Sequence, residues 1–137
     1  MLKIKRASSV LIATDKATDG YLFTEIAKIK GQTAICLESC SGLSKALEED
    51  KNSINTLVVD LDMPCIKNSS ILEDLKDIKK RLKIIAFTCI NRAELKMSEH
   101  NPVIDYIFVK PVHIYKFAEI LERVVSDKSL ENPLVII

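Results

Sequence analysis

Five polar residues, Asp15, Asp60, Asp62, Thr88 and Lys110, stand at or just beyond the ends of short apolar runs. Val10-Leu11-Ile12-Ala13 runs out at Thr14-Asp15, and Leu57-Val58-Val59 runs out at Asp60, with Asp62 two residues on. Ile84-Ile85-Ala86-Phe87 ends at Thr88, and the run from Ile104 to Val109 ends at Lys110, followed by Pro111. Taken singly, each is an ordinary turn or cap residue. Gathered in one place, three carboxylates repel one another and need a cation. Oxygen donors with no imidazole or thiolate among them suit Mg²⁺ rather than zinc. An ammonium and a hydroxyl beside that cation supply neutralising charge and a directional donor, which a phosphoryl group requires. The combination points to a Mg²⁺-dependent phosphoryl site centred on Asp60.

The elements between these residues determine whether they meet. Leu22, Ile26 and Ile29 fall on one face of a helix over 18–30, which Gly31 stops. Thr33 to Leu37 reads as a second strand, and Ser41 as the cap of a helix carrying Leu43, Ala46 and Leu47. Ile54 to Val59 is the third strand. Ser69 or Ser70 then opens a helix with Ile71, Leu75, Ile78 and Leu82 on one face. Residues 84–87 form the fourth strand, 91–99 a polar helix, 104–109 the fifth strand, and Ile114, Phe117, Leu121 and Val124 mark a last helix. Strands and helices therefore alternate, and the strands are almost continuously apolar. Such strands are buried on both faces, so the expected architecture is α/β: a five-stranded parallel sheet with helices on both faces and the flavodoxin-like order 2-1-3-4-5. Ligands of such sheets bind outside the carboxyl ends of the strands, the edge to which all five polar residues belong.

Composition narrows the function further. The chain has 137 residues, of which 47% are hydrophobic and 28% charged, so it has the length of one domain and the means to fill one core. Its net charge of +1 argues against a nucleic-acid binder, and no apolar run is long enough for a membrane span or a signal peptide. Only three glycines occur, and no P-loop or dinucleotide fingerprint can be written from them. The four cysteines, at 36, 40, 65 and 89, form no C-x2-C pair and have only His100 and His113 as potential co-ligands. They read as reduced, mostly buried thiols of a cytoplasmic protein. The last residues, Leu134-Val135-Ile136-Ile137 after Pro133, read as a frayed or linker end, a docking segment or an added edge strand.

Leu57-Val58-Val59-Asp60-Leu61-Asp62-Met63-Pro64 resembles the phospho-acceptor segment of response-regulator receiver domains, in which an apolar strand ends at the acceptor and Met-Pro follows. Ile84 to Thr88 resembles the strand that carries the family's hydroxyl, and Val109-Lys110-Pro111-Val112 resembles its Lys-Pro segment. The resemblance covers nearly the whole chain. It implies a receiver domain over 7–126 with a tail at 127–137, acting as a signalling domain rather than as an enzyme. In that pattern Asp60 accepts a phosphoryl group from a sensor histidine kinase or phosphotransfer protein. Asp15, Asp60 and the backbone carbonyl of Asp62 hold Mg²⁺, Lys110 pairs with the phosphoryl oxygens and Thr88 donates to one of them. The Lys110-Pro111 peptide is cis. Output is expected through protein contacts, with a homodimer formed through the last two helices and strand five.

The chain departs from the pattern at Thr14, where receivers usually have a second acid. It departs again at Ile107, where a switch aromatic is common, and in the loop after Pro64, which lacks the usual glycine. These departures support a second reading, a receiver-like interaction module that does not depend on phosphorylation. In a third reading, Asp60-Leu61-Asp62 resembles the nucleophile and general-acid pair of haloacid-dehalogenase-type phosphatases. That family needs a further acid pair beyond the lysine, and only 27 residues without one follow Lys110.

Overall fold

The computed structural model describes residues 9–49, 54–67, 70–78, 82–89, 103–126 and 135–136. In chain order the elements are β1 (Ser9–Ala13), α1 (Ala17–Ile29), β2 (Thr33–Leu37), α2 (Cys40–Glu49), β3 (Ile54–Asp60), α3 (Pro64–Lys67), α4 (Ile71–Ile78), β4 (Lys83–Thr88), β5 (Tyr106–Val109), α5 (Ile114–Val125) and β6 (Val135–Ile136). The strands form one sheet in the order β2-β1-β3-β4-β5-β6, with every neighbouring pair parallel. The expected order 2-1-3-4-5 is present, and β6 extends it beyond β5.

Strand side chains alternate between two cores. Leu11, Ala13, Leu57, Val59, Ile84, Ala86 and Ile107 face one side, where they meet Leu43 and Leu47 of α2, Ile66 of α3, and Leu72 and Leu75 of α4. Val10, Ile12, Val58, Ile85, Phe87, Tyr106 and Phe108 face the other, against Phe23, Ile26 and Ala27 of α1 and Phe117, Ile120, Leu121 and Val124 of α5. Phe117 anchors this second side, with ring centroids 4.6 Å from Phe23 and 5.8 Å from Phe108. The strands are apolar throughout because both of their faces are covered.

Local signals account for most boundaries. Gly31, at φ +78°, ends α1 in a left-handed conformation that a side chain would strain. At α2 the observed cap is Ser39 rather than Ser41, because the helix begins at Cys40 and the Ser39 hydroxyl accepts the Gly42 N–H at 3.2 Å. The His113 ring caps α5 by accepting from Lys116 N–H at 3.2 Å. The helix expected over 91–99 lies outside the described residues.

Two features bear on the sequence reading, one choosing the added edge strand among its alternatives for the C-terminal residues and one correcting its account of the cysteines. Val135 and Ile136 pair with Tyr106 and Ile107, so the C-terminal segment supplies an edge strand and β5, part of the expected dimer face, carries β6 on its outer side. Cys40 and Cys65 form a disulfide, with their Cα atoms 6.2 Å apart, whereas Cys36 and Cys89 remain free thiols. The expectation of four reduced, mostly buried thiols is corrected on both counts, since that pair is oxidised and Cys36 and Cys89 are exposed. The cysteines are 25 residues apart, and they meet because α2 and α3 begin side by side on the same face of the sheet. Among the described residues no helix is long and apolar enough to cross a membrane.

The disulfide closes a loop of 25 residues, for which unfolded-state constraint contributes roughly 3 kcal/mol. Reduction, or a Cys40→Ser substitution, is therefore expected to lower the unfolding free energy by up to that amount. Urea titrations with and without a thiol reductant check this, and identical midpoints for oxidised and reduced protein would refute it.

Candidate functional site

β3 lies between β1 and β4, and its last residue, Asp60, pairs in register with Phe87. The carboxyl end of β3 is therefore surrounded by the ends of β1, β4 and β5. Thr14 follows β1, Thr88 closes β4 and Lys110 follows β5. Parallel strands bring these residues to one edge although nearly a hundred positions separate the first from the last. The Lys110-Pro111 peptide is cis, as the resemblance implied.

Asp60 is fully buried, and both of its carboxylate oxygens are engaged. Lys110 Nζ donates to Oδ1 at 3.1 Å and to Oδ2 at 3.3 Å. Thr14 Oγ1 donates to Oδ2 at 3.3 Å, and the Asp62 N–H donates to Oδ1 at 2.9 Å. A buried carboxylate is tolerable only when paired and hydrogen-bonded in this way. Thr14 thus supplies a donor to Asp60 at the position where an acid was expected.

The side chain of Asp62 turns into the same site. Its Oδ2 accepts from Lys110 Nζ at 3.0 Å and from the Cys89 N–H at 2.9 Å, and its Oδ1 accepts from Thr88 Oγ1 at 2.8 Å. One ammonium therefore bridges two carboxylates, and it also lies 5.3 Å from the centre of the Phe87 ring. The sequence reading counted the Asp62 carboxylate among the three at this edge but took its backbone carbonyl as the metal ligand, and it gave Cys89 no hydrogen bond there, because that contribution is a main-chain N–H that no residue type announces. Ile107 is buried in the core on the α2–α4 side, while Tyr106 and Phe108 point to the opposite core.

The electrostatics follow from this bridging. Burial by itself would raise the Asp62 carboxyl; the hydrogen bonds from Lys110, Thr88 and Cys89 outweigh it and hold the group at about 2, against an ordinary 3.8. Burial likewise pulls the Lys110 ammonium down, but Asp62 and Asp60 carry it above its usual 10.5. The Asp62 carboxylate also raises the thiol of Cys89, so that cysteine is no reactive thiolate.

Mg²⁺ is the cofactor that the resemblance implies, and the residues as arranged do not fit it. The oxygens of Asp60 and Asp62 are already taken by Lys110, Thr14, Thr88 and main-chain N–H groups, and Asp15 is exposed. Among the described residues no group of three or more His, Cys, Asp and Glu is placed to hold a metal ion. A divalent cation at Asp60 would have to displace the ammonium of Lys110.

Asp62, with its lowered carboxyl, contributes stability that is full above about pH 4 and is lost as the pH falls through about 2. Lys110, with its raised ammonium, contributes below about pH 10 and loses that contribution as the pH rises further. Asp62→Asn is therefore expected to lose about 2 kcal/mol near neutral pH and progressively less as the pH falls from about 4 to 2. Chemical denaturation of both proteins across that range measures the difference, and a gap that stays constant with pH would contradict the assignment.

No family model matches the sequence, and no curated protein does either. The fold is similar to solved structures. A response regulator receiver domain protein from Clostridium thermocellum superposes with a TM-score of 0.73 at 21% identity, over 88% of this chain and 96% of that one. A receiver domain protein (CheY-like) from Methanospirillum hungatei gives 0.72 at 19% identity, over 88% of this chain and 94% of that one. A pilus assembly-related protein from Burkholderia pseudomallei gives 0.72 at 10% identity, over 96% and 99%. The chain has the fold of response-regulator receiver domains, with the acidic cluster at the carboxyl edge of its sheet.

Proposed function

We propose that this chain is a receiver module whose Asp60 takes a phosphoryl group from the phosphohistidine of a sensor histidine kinase or phosphotransfer protein. An Asp60 oxygen attacks phosphorus, an O–P bond forms, the P–N bond breaks, and the imidazole leaves with a proton from solvent. Lys110 would neutralise the phosphoryl oxygens, and Thr88 would donate a hydrogen bond to one of them. The observation that carries the reading is the double contact of Lys110 with the buried Asp60 carboxylate at the end of the central strand. In this reading residues 7–126 are the signalling domain and the C-terminal segment 127–137 is an accessory to it. The module acts through protein contacts or self-association. Asp15, Asp60 and the Asp62 carbonyl, the set that the resemblance implies, would hold Mg²⁺ only in an arrangement other than the present one. In the present arrangement Lys110 holds the carboxylates of Asp60 and Asp62, and Asp15 lies exposed.

A second reading, a module that signals without phosphorylation, is favoured by one observation: the donors a phosphoryl group would use are already bound to Asp62. The phosphatase reading requires Asp62 to deliver a proton. A carboxyl held at about 2 has none to give at neutral pH.

Incubation with acetyl phosphate or a phosphohistidine protein, with Mg²⁺ in the buffer, is expected to give a hydroxylamine-sensitive label. Asp60→Asn should reduce that label to background with the fold intact, because an amide of the same shape is no nucleophile. Labelling of Asp60→Asn at the wild-type rate would overturn the acceptor assignment.

A further inference from the structure

The side chain of Asp62 does what an incoming anion would do. Three donors converge on it from two strand ends: the Thr88 hydroxyl, the Cys89 N–H and the Lys110 ammonium. All three are aimed at a point beside Asp60, since Lys110 touches both carboxylates and the Asp62 N–H donates to Asp60 Oδ1 at 2.9 Å. An oxyanion bonded to an Asp60 oxygen needs donors around it, and Lys110, one of the three, already reaches both Asp60 oxygens. Each of the three donors is engaged by a carboxylate two residues further along the same chain.

The loop holds that carboxylate in place. Leu61 N–H donates to the Phe87 carbonyl at 2.9 Å, and Met63 N–H donates to the Asp60 carbonyl at 3.3 Å. Cys65 is tied to Cys40, and Ile66 is buried in the core. Asp62 is thus delivered by a turn anchored on both sides, so the contact forms without the entropy cost that a free anion would bear. The Thr88 side chain is fully buried in this arrangement.

We propose that Asp62 is an internal oxyanion that occupies the cradle formed by Thr88, Cys89 and Lys110, and that it must swing out before Asp60 can carry a phosphoryl group. This rests on the reading of Asp60 as acceptor. With Asp62 in the cradle, Thr88 and Lys110 already rest on an anion, and Asp62 lowers the rate at which phosphate enters. A small tetrahedral oxyanion is the ligand class that competes with it.

The test uses the full chain, Asp62→Ala and Asp62→Asn, the second keeping the shape while removing the charge. Inorganic phosphate is titrated while the Cys89 amide is followed by NMR, and labelling by acetyl phosphate with Mg²⁺ is timed in parallel. Both variants are expected to show a saturable shift of the Cys89 amide at phosphate concentrations that leave the wild type unchanged. They should also label at least tenfold faster, with the label lost on adding Asp60→Asn. If folded variants neither bind phosphate more tightly nor label faster than wild type, the proposal is overturned. If no protein labels but the amide shift appears only in the variants, the cradle and its internal occupant stand and the acceptor reading falls.

Discussion

One ammonium between two carboxylates governs this structure. Asp60 is buried at the end of the central strand, where an unpaired charge would cost several kcal/mol. Lys110 removes that cost only if β5 ends two strands away in the correct register and β4 lies between them, with Phe87 beneath the ammonium. A slip of one residue in the β3–β4 pairing would turn Asp60 away from this edge and exchange the two cores, because strand side chains alternate with period two. The charge cluster and the hydrophobic sheet therefore depend on each other. The sheet delivers the counter-charge, and the counter-charge permits an acid in the sheet.

The two cores divide the work. On the side of α1 and α5, four phenylalanines form a contiguous cluster beneath the site, through Phe23, Phe87, Phe108 and Phe117. On the other side, aliphatic residues pack under α2, α3 and α4, and the disulfide joins the first turns of α2 and α3. The site loop, Leu61 to Met63, runs from β3 to this second side. Its position is therefore controlled by packing and by a covalent link. The first side supplies the stiff floor against which Lys110 rests.

Much of the site was legible in the residues because it depends on local patterns. Asp60, Thr88 and Lys110 each end an apolar run, and a parallel sheet collects strand ends at one edge. Thr14 was legible as a position but not as a role. An absent acid was evident in the sequence, whereas a hydroxyl donating to Asp60 is a contact across 46 positions. Asp62 was read as a metal ligand through its main chain, and which way its side chain turns depends on donors that the ends of β4 and β5 bring near.

The sequence by itself determined the alternation of elements, the order of the first five strands, and the acid, hydroxyl and lysine at the strand ends. These follow from periodicity, charge and spacing, which are properties of short stretches of chain. Only the tertiary structure decided that Cys40 meets Cys65, that Val135 and Ile136 close the β5 edge, that Ser39 rather than Ser41 caps α2, and that the Asp62 carboxylate fills the cradle beside Asp60. The cap turns on a single residue's offset in where a helix starts. The other three depend on distances between residues far apart in the chain, and those distances exist only once both cores have packed.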